Sequence, residues 1–230
     1  ISTGNQVFFP HDRDVVMVMD GANAPAFSTN GTTWALTGLS APSTAATLSS
    51  LSSGALSSGE YAIAYTVKRG GTAHESNGSS ESTITITGST GALHATAGTT
   101  SADPTVTAYV WYARHKTPDL ESVLRKVSSG AASTVRIVSS AWTTNDEIPT
   151  NNDVPTVLSF GAVWKSRWWA KDATVGNRLR FTELFQPQSW PTLYFIDIPF
   201  EKGDSIAAIQ ALGDTLIIHG QSGKYLVIGQ

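Results

Sequence analysis

The 230-residue chain contains no cysteine. That excludes a disulfide framework, thiolate-bound zinc and thiol nucleophiles together. It leaves the compartment open, because an oxidising environment permits disulfides without requiring them. Charge is scarce: 14% of residues are Asp, Glu, Lys or Arg, against roughly 25% in an average soluble domain, so Ser, Thr, Asn and Gly must carry solvation. The net charge of −3 comes without a basic cluster, and the densest basic stretch, Lys165 to Lys171, is interleaved with Trp. Nucleic-acid coating needs a basic patch or stripe, so no specific nucleic-acid binding is expected. No apolar run of about 20 residues exists, so no membrane-spanning helix and no membrane insertion is expected. The opening ISTGNQVFFPHDRD has no basic segment followed by an apolar one and does not read as a signal peptide. A start at Ile1 rather than Met gives the expectation of a processed or truncated product. Helical patterning is thin. Thr117 to Glu121, with Pro118 early, offers one turn, and Ala207 to Leu212 runs straight into Gly213-Asp214, which reads as a strand and a hairpin turn.

What is present is a series of short β-branched and aromatic runs separated by Gly, Asp, Asn and Pro. Val15 to Met19 is a strand ended by Asp20-Gly21. Asn30-Gly31 predicts a two-residue hairpin turn before Thr33 to Leu36. Residues 40 to 59, rich in Ser, Thr, Ala and Gly, read either as a flexible linker or as an edge strand around Ala46 to Leu51. From Glu60 the alternation is clean, with Tyr61, Ile63, Tyr65 and Val67 on one face and Ala62, Ala64 and Thr66 on the other. Arg69-Gly70-Gly71 turns the chain. Ser82 to Thr87, Ala92 to Ala97, Thr107 to His115, Val123 to Val127 and Val135 to Val138 complete about seven strands, the pattern of an immunoglobulin- or fibronectin-III-like sandwich. The polar stretch Asn145 to Val154 marks a boundary. Beyond it, Val163 to Gln230 reads as the start of a repeated β architecture, expected to be cut in mid-repeat at Gly229-Gln230.

Three stretches carry a resemblance: DGANAPAFSTNGTTWALTGLSAP at 20–42, GEYAIAYTVKRGGTAHESNGSSES at 59–82 running into TITIT, and VWKSRWWAKD through NRLRFTELFQPQSWP to GDSIAAIQALGDTLIIHGQSGKYLVIG. Together they resemble the tail and neck structural proteins of tailed bacteriophages, of the tail-nozzle or tubular type. The resemblance implies a fibronectin-III-like module set among propeller-like strands, a role in ring assembly, and no catalytic residues. The fold expected is therefore all-β, with an immunoglobulin/fibronectin-III-like sandwich inserted into, or preceding, a partial β-propeller-like antiparallel region. The divisions expected are 1–42 (propeller-like strands), 43–146 (sandwich) and 147–230 (propeller-like blades). The location it implies is the virion, and the partners are other copies of the chain and neighbouring virion proteins.

Candidate chemistry is sparse. His11, His74, His94, His115 and His219 show no metal-ligand spacing, and no HExxH occurs. Asp12 and Asp14 offer two carboxylates, short of the six to eight oxygens that calcium takes. Asn145, Asp146, Glu147, Asn151, Asn152 and Asp153 form a richer oxygen set, broken by Pro149. A glycan hydrolase would draw its two carboxyls from Asp172, Glu183, Asp197, Glu201, Asp204 and Asp214, most of them at turns where Asp serves the backbone. Trp164, Trp168, Trp169 and Trp190 suit sugar stacking, or equally a core or interface. Adjacent Trp168 and Trp169 face opposite sides of a strand, which suggests one in a core and the other exposed or at a subunit contact. No phosphate loop occurs. Asn30-Gly31-Thr32 and Asn77-Gly78-Ser79 match the glycosylation sequon, and both are already explained as turns. The expectation is a non-catalytic virion component without catalytic, cofactor-binding or metal residues and without a cofactor. The alternatives are an adhesion module for a host-surface glycan, or a propeller-type glycan hydrolase.

Overall fold

The computed structural model describes residues 6–70, 74–88, 91–98, 103–117, 123–142, 145–200, 203–220 and 223–228. Among them there is no helix, and none therefore that is long and apolar enough to cross a membrane. The expected turn at Pro118 to Glu121, and Gly71, Glu201 and Gly229-Gln230, lie outside the described residues. In chain order the strands are β1 (His11–Asp12), β2 (Val15–Val18), β3 (Ala26–Ser28), β4 (Ala35–Leu36), β5 (Thr47–Leu56), β6 (Gly59–Arg69), β7 (Ser82–Ile86), β8 (Gly91–Thr96) and β9 (Val106–Thr117). They continue with β10 (Arg125–Gly130), β11 (Thr134–Ile137), β12 (Leu158–Trp164), β13 (Arg167–Asp172), β14 (Arg178–Phe181), β15 (Phe195–Asp197), β16 (Ile206–Leu212), β17 (Thr215–Gly220) and β18 (Lys224–Ile228). The protein is all-β, built from several antiparallel sheets.

The chain divides into two compact units, one formed by 1–38 with 151–230 and the other by 39–150. Gly38 sits at the exit from the first unit with φ +78°, and a Cβ there would lie 2.8 Å from the Val154 Cα. The departing and returning segments of that unit therefore run side by side, and only glycine allows both the approach and the left-handed backbone.

In unit 39–150 the sheets have the orders β10-β9-β6-β7 and β11-β8-β5. Both contribute to one core: Tyr61, Ile63, Tyr65 and Val67 of β6 and Trp111 of β9 pack with Leu56 of β5, Leu93 of β8 and Ile137 of β11. The alternation starting at Tyr61 supplies one face, and its other face is buried too, with Ala62 and Ala64 against Val110, Tyr112 and Leu124. Of the two readings of residues 40 to 59, the strand prevails. β5 pairs with β8 from Thr47 to Leu51 and again at Leu56, so ladder hydrogen bonds supply what its small side chains do not. Asn30-Gly31 is not a two-residue hairpin turn. It lies in a wider loop between β3 and β4, where Ala26 pairs with Leu36 and Phe27 with Ala35. The Asn30 side chain accepts hydrogen bonds from the Thr32 and Thr33 N–H groups, and Ser28 Oγ accepts from Gly31. These local side-chain bonds hold a longer loop than the Asn-Gly signal alone specifies.

The other unit holds three sheets, each ordered as it runs in sequence: β1-β2-β3-β4, β12-β13-β14-β15 and β16-β17-β18. β12 contacts β1 and also β16, so the first strands of the three sheets are neighbours. Val15, Met17 and Met19 of the first sheet region pack on Leu158, Trp168, Ala170 and Trp190. Trp164, Trp169 and Leu179 of the middle sheet pack on Ile206, Leu216 and Ile218 of the third. The middle sheet is thus covered on both faces. The hairpin joining β12 to β13 places Lys165 at φ 47° and Ser166 at φ 59°, the pair of positive φ values that favours Gly and Asn. Ser166→Gly is expected to stabilise this unit by about 1 kcal/mol, seen as a higher urea midpoint at unchanged m-value.

Candidate interaction surface

The middle sheet sets the geometry. Its register pairs Val163 with Trp168, Ala162 with Trp169, and Trp169 with Phe181. Because successive side chains alternate, Trp168 points into one core and Trp169 into the other. Both are buried, at 2% and 6% exposure. This corrects the expectation that one of them is exposed or at a subunit contact: a sheet flanked on both sides has no free face for either ring. Trp164 and Trp190 are buried as well, so all four rings fill cores, and none is presented to a sugar. On the Trp169 face the rings form a row, with Trp164 to Trp169 at 5.7 Å, Trp169 to Phe181 at 4.7 Å and Phe181 to Tyr194 at 5.1 Å between centroids. The Arg167 guanidinium lies over Phe181 and Tyr194 at 5.5 and 5.6 Å, a cation–π arrangement that closes the row.

On the opposite face Asp172 is fully buried. It accepts hydrogen bonds from Arg180 Nε at 2.6 Å, from Thr174 Oγ1 at 2.7 Å, and from the Thr174 and Val175 N–H groups at 2.8 and 3.1 Å. Burial pushes its carboxyl up, but these donors outweigh burial and hold it at about 2. Beside it Arg178 forks onto Asp197 at 2.7 and 2.8 Å and lies 3.8 Å from the Phe195 ring centre. The hydrogen bond from Arg178 keeps Asp197 below the usual carboxylate range. Two members of the carboxyl pool are therefore committed to arginines. Asp214 is almost fully exposed, 3.7 Å from Lys165. Glu183 lies 4.0 Å from Arg167, and Asp204 accepts from the Ser205 N–H.

The two outer sheets each keep a face turned away from these cores. In the third sheet, Leu216, Ile218 and Ile209 point to the middle sheet, so Ala208, Gln210, Leu212 and Ile217 lie on the other face. Leu212 is 62% exposed there. In the first sheet Met17 points inward, and the register puts Val16, Val18, Ala26 and Leu36 on the far face, with Leu36 53% exposed. Both far faces are mixed: Gln210, Thr215 and His219 share one with Leu212, and Ser28, 2% exposed, lies on the other beside Val16. Single exposed leucines such as Leu36 and Leu212 are ordinary on a protein surface. Sequence alternation alone could place these residues on one face of their strands, but not tell which face is covered.

The remaining expected positions do not assemble. Asp12 and Asp14 line a cavity with Arg13, Trp168, Phe185 and Pro187. Among the described residues no group of three or more His, Asp or Glu side chains is placed to hold a metal ion. Asn145 donates to the Lys126 carbonyl and Glu147 pairs with Arg125, whereas Asn152 and Asp153 bond Ser189 and Thr192, so the oxygen-rich stretch serves two units instead of one ion. His115 stacks on Tyr61 at 4.4 Å and 9°.

His74 is buried in a polar cluster. Its Nδ1 lies 3.2 Å from Arg69 Nη1, while Arg69 also reaches Asp103 at 3.2 Å and donates to Thr105 at 2.7 Å. Burial first, then the Arg69 charge, lower the His74 pKa to about 4. An unfolded histidine titrates near 6.5. Between these values the unfolded state binds a proton that the folded state refuses, so stability falls as pH falls. Unit 39–150 is expected to lose stability from pH 6.5 to 4, and His74→Gln to flatten that slope in urea midpoints taken across the range.

Comparison with protein-family models, with curated proteins and with solved structures returned no match.

Proposed function

We propose that this chain is a non-catalytic structural component of a tailed-phage virion, in the tail or neck. On this reading, unit 1–38/151–230 is a propeller-like arc of blades that joins other copies in a ring. Unit 39–150 is a fibronectin-III-like β-sandwich inserted in chain order within that arc and exposed in the assembly as a spacer or a surface-contact module. The observation that carries the reading is the middle sheet, packed face to face between two others, with Trp168 and Trp169 feeding opposite cores. Meander sheets stacked in this way, with their first strands adjacent, are how a propeller is built. The side-by-side strands of chain at Gly38 and Val154 suit an insertion that leaves the arc undisturbed. The commitment of Asp172 and Asp197 to arginines, and the burial of all four candidate Trp rings, favour the structural role over glycan hydrolysis or sugar stacking. The test is mass spectrometry and immunogold imaging of purified particles of the phage encoding the chain. The chain is expected in the particle at a fixed multiple of copies at the tail or neck. Its absence from particles, or turnover of a glycan by the purified chain, overturns the proposal.

A further inference from the structure

Among the described residues, Asp20-Gly21, Asn30-Gly31 and Asn77-Gly78 each set a side-chain carbonyl beside a glycine N–H that no side chain of its own shields. Their surroundings differ. Asp20 Oδ1 accepts from the Ala22 and Asn23 N–H groups and Oδ2 from Asn23 Nδ2, while the Gly21 N–H donates to the Leu158 carbonyl at 3.0 Å. Gly78 is half-buried, and a Cβ there would collide with Ile148 Cδ1, so its peptide has little room to turn. Asn30 and Gly31 are exposed, and a Cβ on Gly31 would meet nothing within 4 Å. One hydroxyl joins the two. Ser28 Oγ accepts from Gly31 N at 2.9 Å and donates to Asn30 Oδ1 at 3.2 Å, and Ser28 is itself 2% exposed. Asn30 Oδ1 also accepts from the Thr32 and Thr33 N–H groups at 2.9 and 2.8 Å. Paired backbone donors on a carbonyl oxygen stabilise the negative charge that develops there when its carbon is attacked. Asn30 Nδ2 lies 3.4 Å from Thr33 Oγ1.

We propose that Asn30-Gly31 is a self-modifying site, where the folded loop cyclises the asparagine to a succinimide that water opens to aspartate and isoaspartate. Gly31 N forms a bond to Asn30 Cγ. Its proton passes to Ser28 Oγ as the Ser28 hydroxyl proton passes to Asn30 Oδ1, which leaves a neutral tetrahedral carbon. The proton on Oδ1 then moves to Nδ2, the Cγ–Nδ2 bond breaks, and ammonia leaves to solvent. Water attack at Cγ restores the ordinary main chain with aspartate at position 30. Water attack at the backbone carbonyl carbon instead routes the main chain through the side chain, as isoaspartate. No oxidant or reductant takes part, and the co-reactant is water. Either product makes the net charge of −3 one unit more negative. The site stands apart from the virion reading and holds whether or not that reading does.

Incubation of the whole chain at neutral pH in heavy-oxygen water, followed by peptide mapping with mass spectrometry, reads the reaction. Label is expected at residue 30 at least about tenfold faster than at residue 77, in both aspartate and isoaspartate. The rate at residue 30 is also expected to exceed that of a free peptide of residues 24–36, which lacks the fixed hydroxyl and N–H donors. Ser28→Ala, checked for folding by circular dichroism, is expected to slow the reaction about tenfold in the whole chain and to leave it unchanged in the peptide. A residue 30 that reacts no faster in the folded chain than in the peptide, or no faster than residue 77, overturns the proposal. So does a folded Ser28→Ala chain that reacts at the original rate. Should Ser28→Ala fail to fold, the comparison of the native chain with the peptide decides.

Discussion

Trp169→Ala is expected to destabilise unit 1–38/151–230 by about 3–5 kcal/mol, a large share of the ~5–15 kcal/mol that holds a domain folded. The ring is wedged between Trp164 and Phe181, and its Nε1 donates to the Trp164 carbonyl at 3.1 Å. Its loss leaves a cavity against Ile206, Leu216 and Ile218 and frees the third sheet. Trp168→Ala costs a similar amount through a different core, that of Met17, Met19 and Trp190. The sharper expectation concerns the pair. Neighbours in sequence ordinarily couple, but these two rings share no core, so their effects should add within about 0.5 kcal/mol. Trp168→Phe, Trp169→Phe and the double variant, compared by urea unfolding, measure it. A coupling well above 1 kcal/mol means the two cores are one.

Asp172→Ala is expected to cost about 3–5 kcal/mol, because it strands the Arg180 guanidinium in a largely buried site. The pair measures 2.6 Å, with Asp172 1% and Arg180 12% exposed at the side chain. The variant also removes the acceptor for the Thr174 and Val175 N–H groups, loosening the turn after β13. The same carboxyl sets an acid limit. Its folded pKa is depressed to about 2, against about 3.9 unfolded, so the stability it adds is full above pH 4 and is lost as pH falls towards 2. Unit 39–150, governed by His74, is expected to weaken first, between pH 6.5 and 4. Two acid transitions separated in this order, followed by tryptophan fluorescence, bear out the assignment. In Asp172→Asn the lower transition is expected to disappear while the upper one stays.

Much of the architecture was legible in the residues because strand alternation is a local property. Tyr61, Ile63, Tyr65 and Val67 declare one face of β6 by spacing alone, and Gly213-Asp214 declares the turn between β16 and β17. The all-β class follows from such runs and from the thin helical patterning. Local signals misled where side chains bond to nearby backbone, as Asn30 and Ser28 do in widening their loop. They stayed silent where a ladder does the stabilising, as along β5.

The sequence by itself determined which residues alternate, where most turns fall, and that Trp168 and Trp169 must point in opposite directions, since each follows from the two-residue repeat of an extended chain. Only the tertiary structure decided that both directions are cores, that Asp172 and Asp197 are held by arginines, and that Met17 and Leu216 pack toward the middle sheet from its two sides. The physical reason is that alternation fixes a side chain's direction, whereas burial depends on what distant parts of the chain bring against it.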